Sequence, residues 1–176
     1  EHEGQRMGTT IVSLFTRAQK AQISNLGDSR IYRYRQGELE LLSVDHTQAQ
    51  RLADLGIIEQ REVRRHPERH RLLQHLGIFP SEADLKPNIS EPFDLEEGDL
   101  YLLCSDGLND NVSEGVIEAA LSTENLDLGL ISDDLMNETL EQGAHDNMTF
   151  ILLESMEIGD PSEFDAIPYE TPELTE

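Results

Sequence analysis

The chain has 176 residues, 37% of them apolar and none of them tryptophan, with a formal charge of −23 at neutral pH. That length suits one domain with a hydrophobic core, and so large a negative charge argues against two polyanionic partners, nucleic acid and anionic membrane. The single cysteine, Cys104, excludes a disulfide framework within the chain and fits a reducing, cytoplasmic setting; no transmembrane helix and no secretory leader are expected.

Residues 9–15 are rich in β-branched and aromatic types and predict a strand, followed after a polar turn by a second strand over 21–26. A third is predicted over 31–35 and, beyond the Gln36-Gly37 turn, a fourth over 39–42. Strands joined by short turns predict an antiparallel meander rather than β-α-β winding. Between Asp45 and Phe79 the pattern changes to short helices over 48–55, stopped by Gly56, and 61–65, with Pro67 placed to open another. Strands resume over 88–93 and 100–104. Helices are predicted over 113–121, capped by Ser113, and 126–142, ended by Gly143, before a last strand over 148–153. The sum is an α+β fold built on antiparallel sheets. Residues 155–176 hold three prolines, many acids and no lysine or arginine, the composition of an acidic tail or linker, so the domain is expected to span 1–154.

Three acidic turns stand at strand ends: Asp28 after 21–26, Asp106 after 100–104, and Asp146 just before 148–153. A carboxylate is costly to bury inside a sheet but can project from its end. Oxygen ligands collected in this way suit Mg²⁺ or Mn²⁺. Singly, each turn has a plain structural explanation, Asp28 as a hairpin residue and Asp110 or Asn111 as a helix cap. Together they suggest a site. Gly107 lets a backbone carbonyl or a metal-bound water come close, and Asp110, one helical turn on, aims a second carboxylate at the same space.

Other chemistry fits less well. Cys104 has no following cation to make it a phosphate-attacking thiolate. His66 and His70 have the spacing of some zinc sites, but Pro67 puts His66 at a helix boundary. Six of the thirteen basic residues cluster at Arg51, Arg61, Arg64, Arg65, Arg69 and Arg71. They form either a solvated face paired with Glu59, Glu62 and Glu68 or a patch that meets an anionic ligand.

The ordered set Met7-Gly8-Thr9-Thr10, Asn25-Leu26-Gly27-Asp28-Ser29-Arg30, Asp45-His46-Thr47, His66-Pro67 with Leu76-Gly77, Leu103 through Asp110, and Asp146-Asn147-Met148-Thr149 resembles the metal-dependent protein serine/threonine phosphatases, the type 2C or PPM family, in a bacterial form. The resemblance implies a β-sandwich flanked by helices, with a mobile flap over about 44–79. It also implies a binuclear Mn²⁺ or Mg²⁺ centre whose metal-activated water hydrolyses phosphoserine and phosphothreonine in proteins modified by a kinase. By the same resemblance Asp106 and Asp146 ligate the metal pair, and Asp28, Asp106 and Asp110 hold a third ion. Asn147 takes a supporting role beside Asp146, and Arg61, Arg64 and Arg65 are candidates for substrate binding. The family's opening strands, with an acidic ligand, a bridging Asp-Gly and a phosphate-binding arginine, have no match before Met7. The expectation is therefore a partial site, with sheet edges free to self-associate. The alternative is a non-catalytic, phosphatase-like binding or regulatory module.

Overall fold

The computed structural model describes residues 7–123, 127–144 and 146–156. Strands β1 (Ile11–Arg17) and β2 (Lys20–Leu26) form a hairpin in the register Ile11↔Leu26 to Arg17↔Lys20. Ala21, Ile23 and Asn25 of β2 point inward, as the period-2 pattern requires. The chain then turns at Gly27, which has a φ of +110° and no space for a Cβ against the Thr10 side chain. Only glycine suits both conditions. Strand β3 (Arg30–Arg35) follows, and β4 (Glu38–Leu41) pairs back onto it. The expected meander is thus divided: Gly27-Asp28 is a corner between two sheets, not a hairpin turn.

The first sheet is completed by β5 (Asn88–Ile89) and β6 (Phe93–Asp94), both paired with β2. Pro92 lies between them and has no N–H to give a ladder, so the single strand expected over 88–93 becomes two short ones. The second sheet has the order β4-β3-β7-β8, with β7 (Leu100–Cys104) and β8 (Phe150–Glu154) antiparallel throughout. All five residues of β7 are buried because it serves two cores. Tyr101 and Leu103 pack with Ile23 and Ile31 between the sheets. Leu100, Leu102 and Cys104 pack with Tyr32 against the helices α4 (Glu114–Leu121) and α5 (Leu128–Glu141) through Ile117, Leu121, Ile131 and Leu135. Ser113 Oγ accepts from Val116 N–H as expected, and Asp127 caps α5, which begins two residues after its predicted start.

The flap holds α1 (Gln48–Asp54) and α2 (Gln60–Val63). Beyond Pro67 the chain forms single turns, Arg69 N–H to His66 O and Arg71 N–H to Glu68 O, instead of another helix. A short helix, α3 (Asp106–Asn109), starts directly after β7 and supplies the helical turn expected between Asp106 and Asp110. Ser155 continues beyond β8, exchanging backbone hydrogen bonds with Gly98 and Asp99; of the acidic tail, residues 157–176 lie outside the described residues.

The segment leading into the flap is fastened to β3 by an ion pair. Arg30 donates from Nε and Nη2 to Asp45 at 3.0 and 2.7 Å, with the two side chains only 12% and 8% exposed. Burial opposes the charge on Arg30, but the Asp45 carboxylate outweighs it and holds the guanidinium more firmly protonated than usual. Removing one member of such a pair strands the other, so Asp45→Ala should lower stability by about 3 kcal/mol in urea unfolding. Adding Arg30→Met to that variant should recover part of the loss. No recovery would mean that the pair matters for packing rather than for charge.

Candidate metal centre

Three carboxylates from two parts of the fold meet at one end of the sandwich. Asp28 comes from the Gly27 corner, Asp106 begins α3, and Asp110 caps the other end of that helix with its N–H on Asp106 O at 2.9 Å. They line one small space of about 20 Å³, room for a single ion or water. Placed so close, the carboxylates raise each other's affinity for protons. Burial, then Asp106 and Asp45, push Asp28 up to about 6. Burial, then Asp110 and Asp146, raise Asp106 above the ordinary carboxylate range. A divalent cation relieves this repulsion, and the donor set of hard oxygens suits Mg²⁺ or Mn²⁺.

Asp146 does not line that pocket; it acts on Asp106 through space, from a loop held in place by a close backbone contact. A Cβ on Gly107 would overlap the Asn147 carbonyl oxygen, so only glycine lets the loop before β8 lie on the start of α3. Two hydrogen bonds latch the contact, Ser105 N–H to Thr149 O at 2.9 Å and Thr149 N–H to Ser105 Oγ at 3.1 Å. Asp146 remains exposed and accepts from Asn147 N–H at 2.7 Å. The Gly27 corner is held as firmly. His46 N–H donates to Gly27 O at 2.9 Å, and Gly27 N–H donates to His46 Nδ1 at 3.2 Å.

The flap arginines have separate tasks. Arg61 pairs with Glu59 at 2.6 Å, and Arg71 with Glu68 at 3.1 Å. Arg64 donates from Nη2 to the carbonyls of Asn109 and Val112 at 3.0 and 2.6 Å, tying the flap to the end of α3. Arg61, Arg64 and Arg65 border a concavity of about 650 Å³ beside the carboxylate pocket. Arg69, read from sequence only as one of the basic cluster, and Asp45, read only as part of the motif set, line the pocket itself, and His70, considered there only for zinc, places Nδ1 3.3 Å from Asp110 Oδ2. Its neighbour His66 instead accepts from Glu68 N–H at 3.2 Å, so the two histidines share no site. Cys104 is buried, with its thiol pushed up to about 12 by that burial, and serves as a strand residue.

A family model described as protein phosphatase 2C matches residues 1–52. The chain is 34% identical over 146 residues to the serine/threonine protein phosphatase PstP of Mycobacterium tuberculosis, covering 83% of this chain and 27% of that protein. It is 32% identical over 149 residues to the serine/threonine phosphatase stp of Listeria innocua, covering 84% and 57%. Among solved structures it superposes on the S. agalactiae serine/threonine phosphatase with a TM-score of 0.78 at 30% identity, covering 89% of this chain and 62% of the other. The catalytic domain of PstP in complex with two manganese ions gives a TM-score of 0.71 at 29% identity, covering 85% and 60%. The chain therefore spans less than two thirds of each of these proteins.

Crowding of Asp28 has a measurable sign. Its value of about 6 in the fold lies above that of the unfolded chain, about 3.9. Between those values the folded state holds a proton that the unfolded state has lost, so this group's contribution to metal-free stability falls as pH rises from about 4 to about 6. Asp28→Asn should gain on the native chain across that window, by on the order of 1–2 kcal/mol at neutral pH once partial exposure is allowed for. Urea unfolding in chelator reads the difference, and added Mn²⁺ should narrow it. A gap independent of pH would exclude Asp28 as a repelled group.

Proposed function

We infer that this chain, which belongs to the protein phosphatase 2C family, takes part in hydrolysing phosphoserine and phosphothreonine in proteins. The observation that carries the proposal is the convergence of Asp28, Asp106 and Asp110 on a space sized for one ion, with Asp146 within electrostatic reach. Asp106 and Asp146 would ligate a binuclear Mn²⁺ or Mg²⁺ centre, and Asp28 and Asp110, together with Asp106, a third and weaker ion. Bound divalent ions supply a site for the phosphate and acidify a water at neutral pH. The chain's own residues hold that arrangement. Gly107 keeps the Asn147 backbone against α3, Asn147 fixes the Asp146 carboxylate through its N–H, and the flap closes one side of the pocket.

Arg61 and Arg65 border the neighbouring concavity, where they would meet acidic residues of a phosphoprotein, while Arg64 keeps the flap seated. Because the chain spans 57% to 62% of several relatives, we place only part of the catalytic site on it. No helix among the described residues is long and apolar enough to cross a membrane. On a different ground, the single free cysteine Cys104, which suits a reducing compartment, we propose a cytoplasmic protein. We propose self-association through the outer edge of β1, beside the exposed side chains of Ile11 and Phe15.

Calorimetric titration with Mn²⁺ tests the ligand ranking: Asp106→Ala should abolish the tighter binding, and Asp28→Ala only the weaker. Equal losses would overturn it. Activity is tested by phosphate release from a phosphothreonine peptide in Mn²⁺, for the chain alone and for the chain joined to the opening segment found in family members. Turnover is expected in the joined protein and should vanish with Asp106→Asn; its persistence would relocate the site. In the joined protein, Arg65→Ala should raise KM about 2- to 5-fold for an acidic phosphopeptide, the size of one exposed charge contact, and leave a small aryl phosphate unaffected. A uniform change for both substrates would make Arg65 a surface residue without a role.

A further inference from the structure

The carboxylate pocket is closed in part by the flap, and the flap brings a metal-binding atom with it. His70 Nδ1 lies 3.3 Å from Asp110 Oδ2, and ligand atoms of His70, Asp106 and Asp110 all fall within 4.8 Å of one another. Ligands of an octahedral ion at about 2.1 Å stand about 3.0 Å apart when adjacent and about 4.2 Å apart when opposite, so these three donors need to contract only slightly. His70 is 49% exposed and Asp110 30%, which leaves open positions for the waters such an ion keeps. The imidazole is not there by drift of a loose loop. On one side Arg64 is bound to the Asn109 and Val112 carbonyls, and on the other Gln48 N–H donates to Arg71 O at 2.9 Å. An ion pair between a protonated His70 and Asp110 is the competing explanation. It would engage both carboxylates, since His70 also acts on Asp106, and the nitrogen signature of a bound ion separates the two explanations.

We propose that His70 is a direct ligand of the divalent ion held by Asp106 and Asp110, so that the flap supplies part of the metal's coordination shell. The proposal rests on the metal centre inferred above. It has two consequences. A nitrogen donor favours Mn²⁺ over Mg²⁺ at this position, since Mn²⁺, though it also takes oxygen ligands, is the softer ion and accepts an imidazole more readily than Mg²⁺ does. Ion occupancy also fastens the flap to α3, which couples the cation to the surface that borders the substrate concavity.

The test is pulsed electron paramagnetic resonance of the full 176-residue chain, loaded with Mn²⁺ in steps from a fraction of an equivalent to saturation. The spin echo should carry the nitrogen modulation of a coordinated imidazole. That modulation should vanish in His70→Asn and persist in His66→Asn. Calorimetry on the same proteins should show Mn²⁺ affinity about 10-fold lower in His70→Asn, with Mg²⁺ affinity little changed. Bound Mn²⁺ without nitrogen modulation at any loading, or modulation that survives His70→Asn, overturns the assignment of His70 and leaves the carboxylate centre intact. Failure of the unaltered chain to bind Mn²⁺ overturns both.

Discussion

Repulsion among carboxylates held at one end of the sandwich is the constraint around which the rest of the molecule is arranged. Acidic side chains gather there, and burial together with their repulsion drives two of them, Asp28 and Asp106, toward protonation. Such an arrangement persists only if the backbone beneath it cannot relax. The means are specific. Gly107 lets the Asn147 carbonyl lie on the start of α3, Gly27 turns against Thr10, and His46 is hydrogen-bonded in both directions to that corner. Each contact is between or onto backbone, where flexible side chains offer no escape.

The flap belongs to this arrangement. It enters through Asp45, buried against Arg30, and it is tied to α3 by Arg64. One residue type thereby performs different work within a few positions. Arg64 satisfies carbonyls, Arg61 and Arg71 pair with nearby glutamates on the surface, and Arg69 lines the pocket. The exposed pairs contribute little to stability; the buried contacts decide where the flap sits.

Strand β7 transmits this order to the body of the fold. Its alternate residues serve the core between the sheets and the core beneath α4 and α5, and its last residue is followed by Ser105 and then Asp106. A ligand placed there inherits the rigidity of two hydrophobic cores. The chain superposes on bacterial phosphatases at TM-scores of 0.71 to 0.78 with identities near 30%, so the shape of the fold is shared across substantial differences in sequence.

The strands β2, β3 and β7, the caps of α4 and the end of α5, and the positions of the acidic turns were legible in the chain itself, because periodicity and capping are local properties. So was the ordered motif set that pointed to a phosphatase-like site with Asp28, Asp106, Asp110 and Asp146. What sequence left open depends on contacts between distant segments. It could not show that Gly27 turns between sheets, since a hairpin and a corner use the same residues. Nor could it separate the roles of the flap arginines, because a guanidinium can donate to a carboxylate, a carbonyl or a phosphate. His70 was visible only as half of a zinc-like spacing; its nearness to Asp110 exists because the flap folds across α3. Local chemistry thus selected the residues capable of binding an ion, and tertiary packing decided which of them share one, since ligation depends on distances of a few ångströms between segments some forty residues apart.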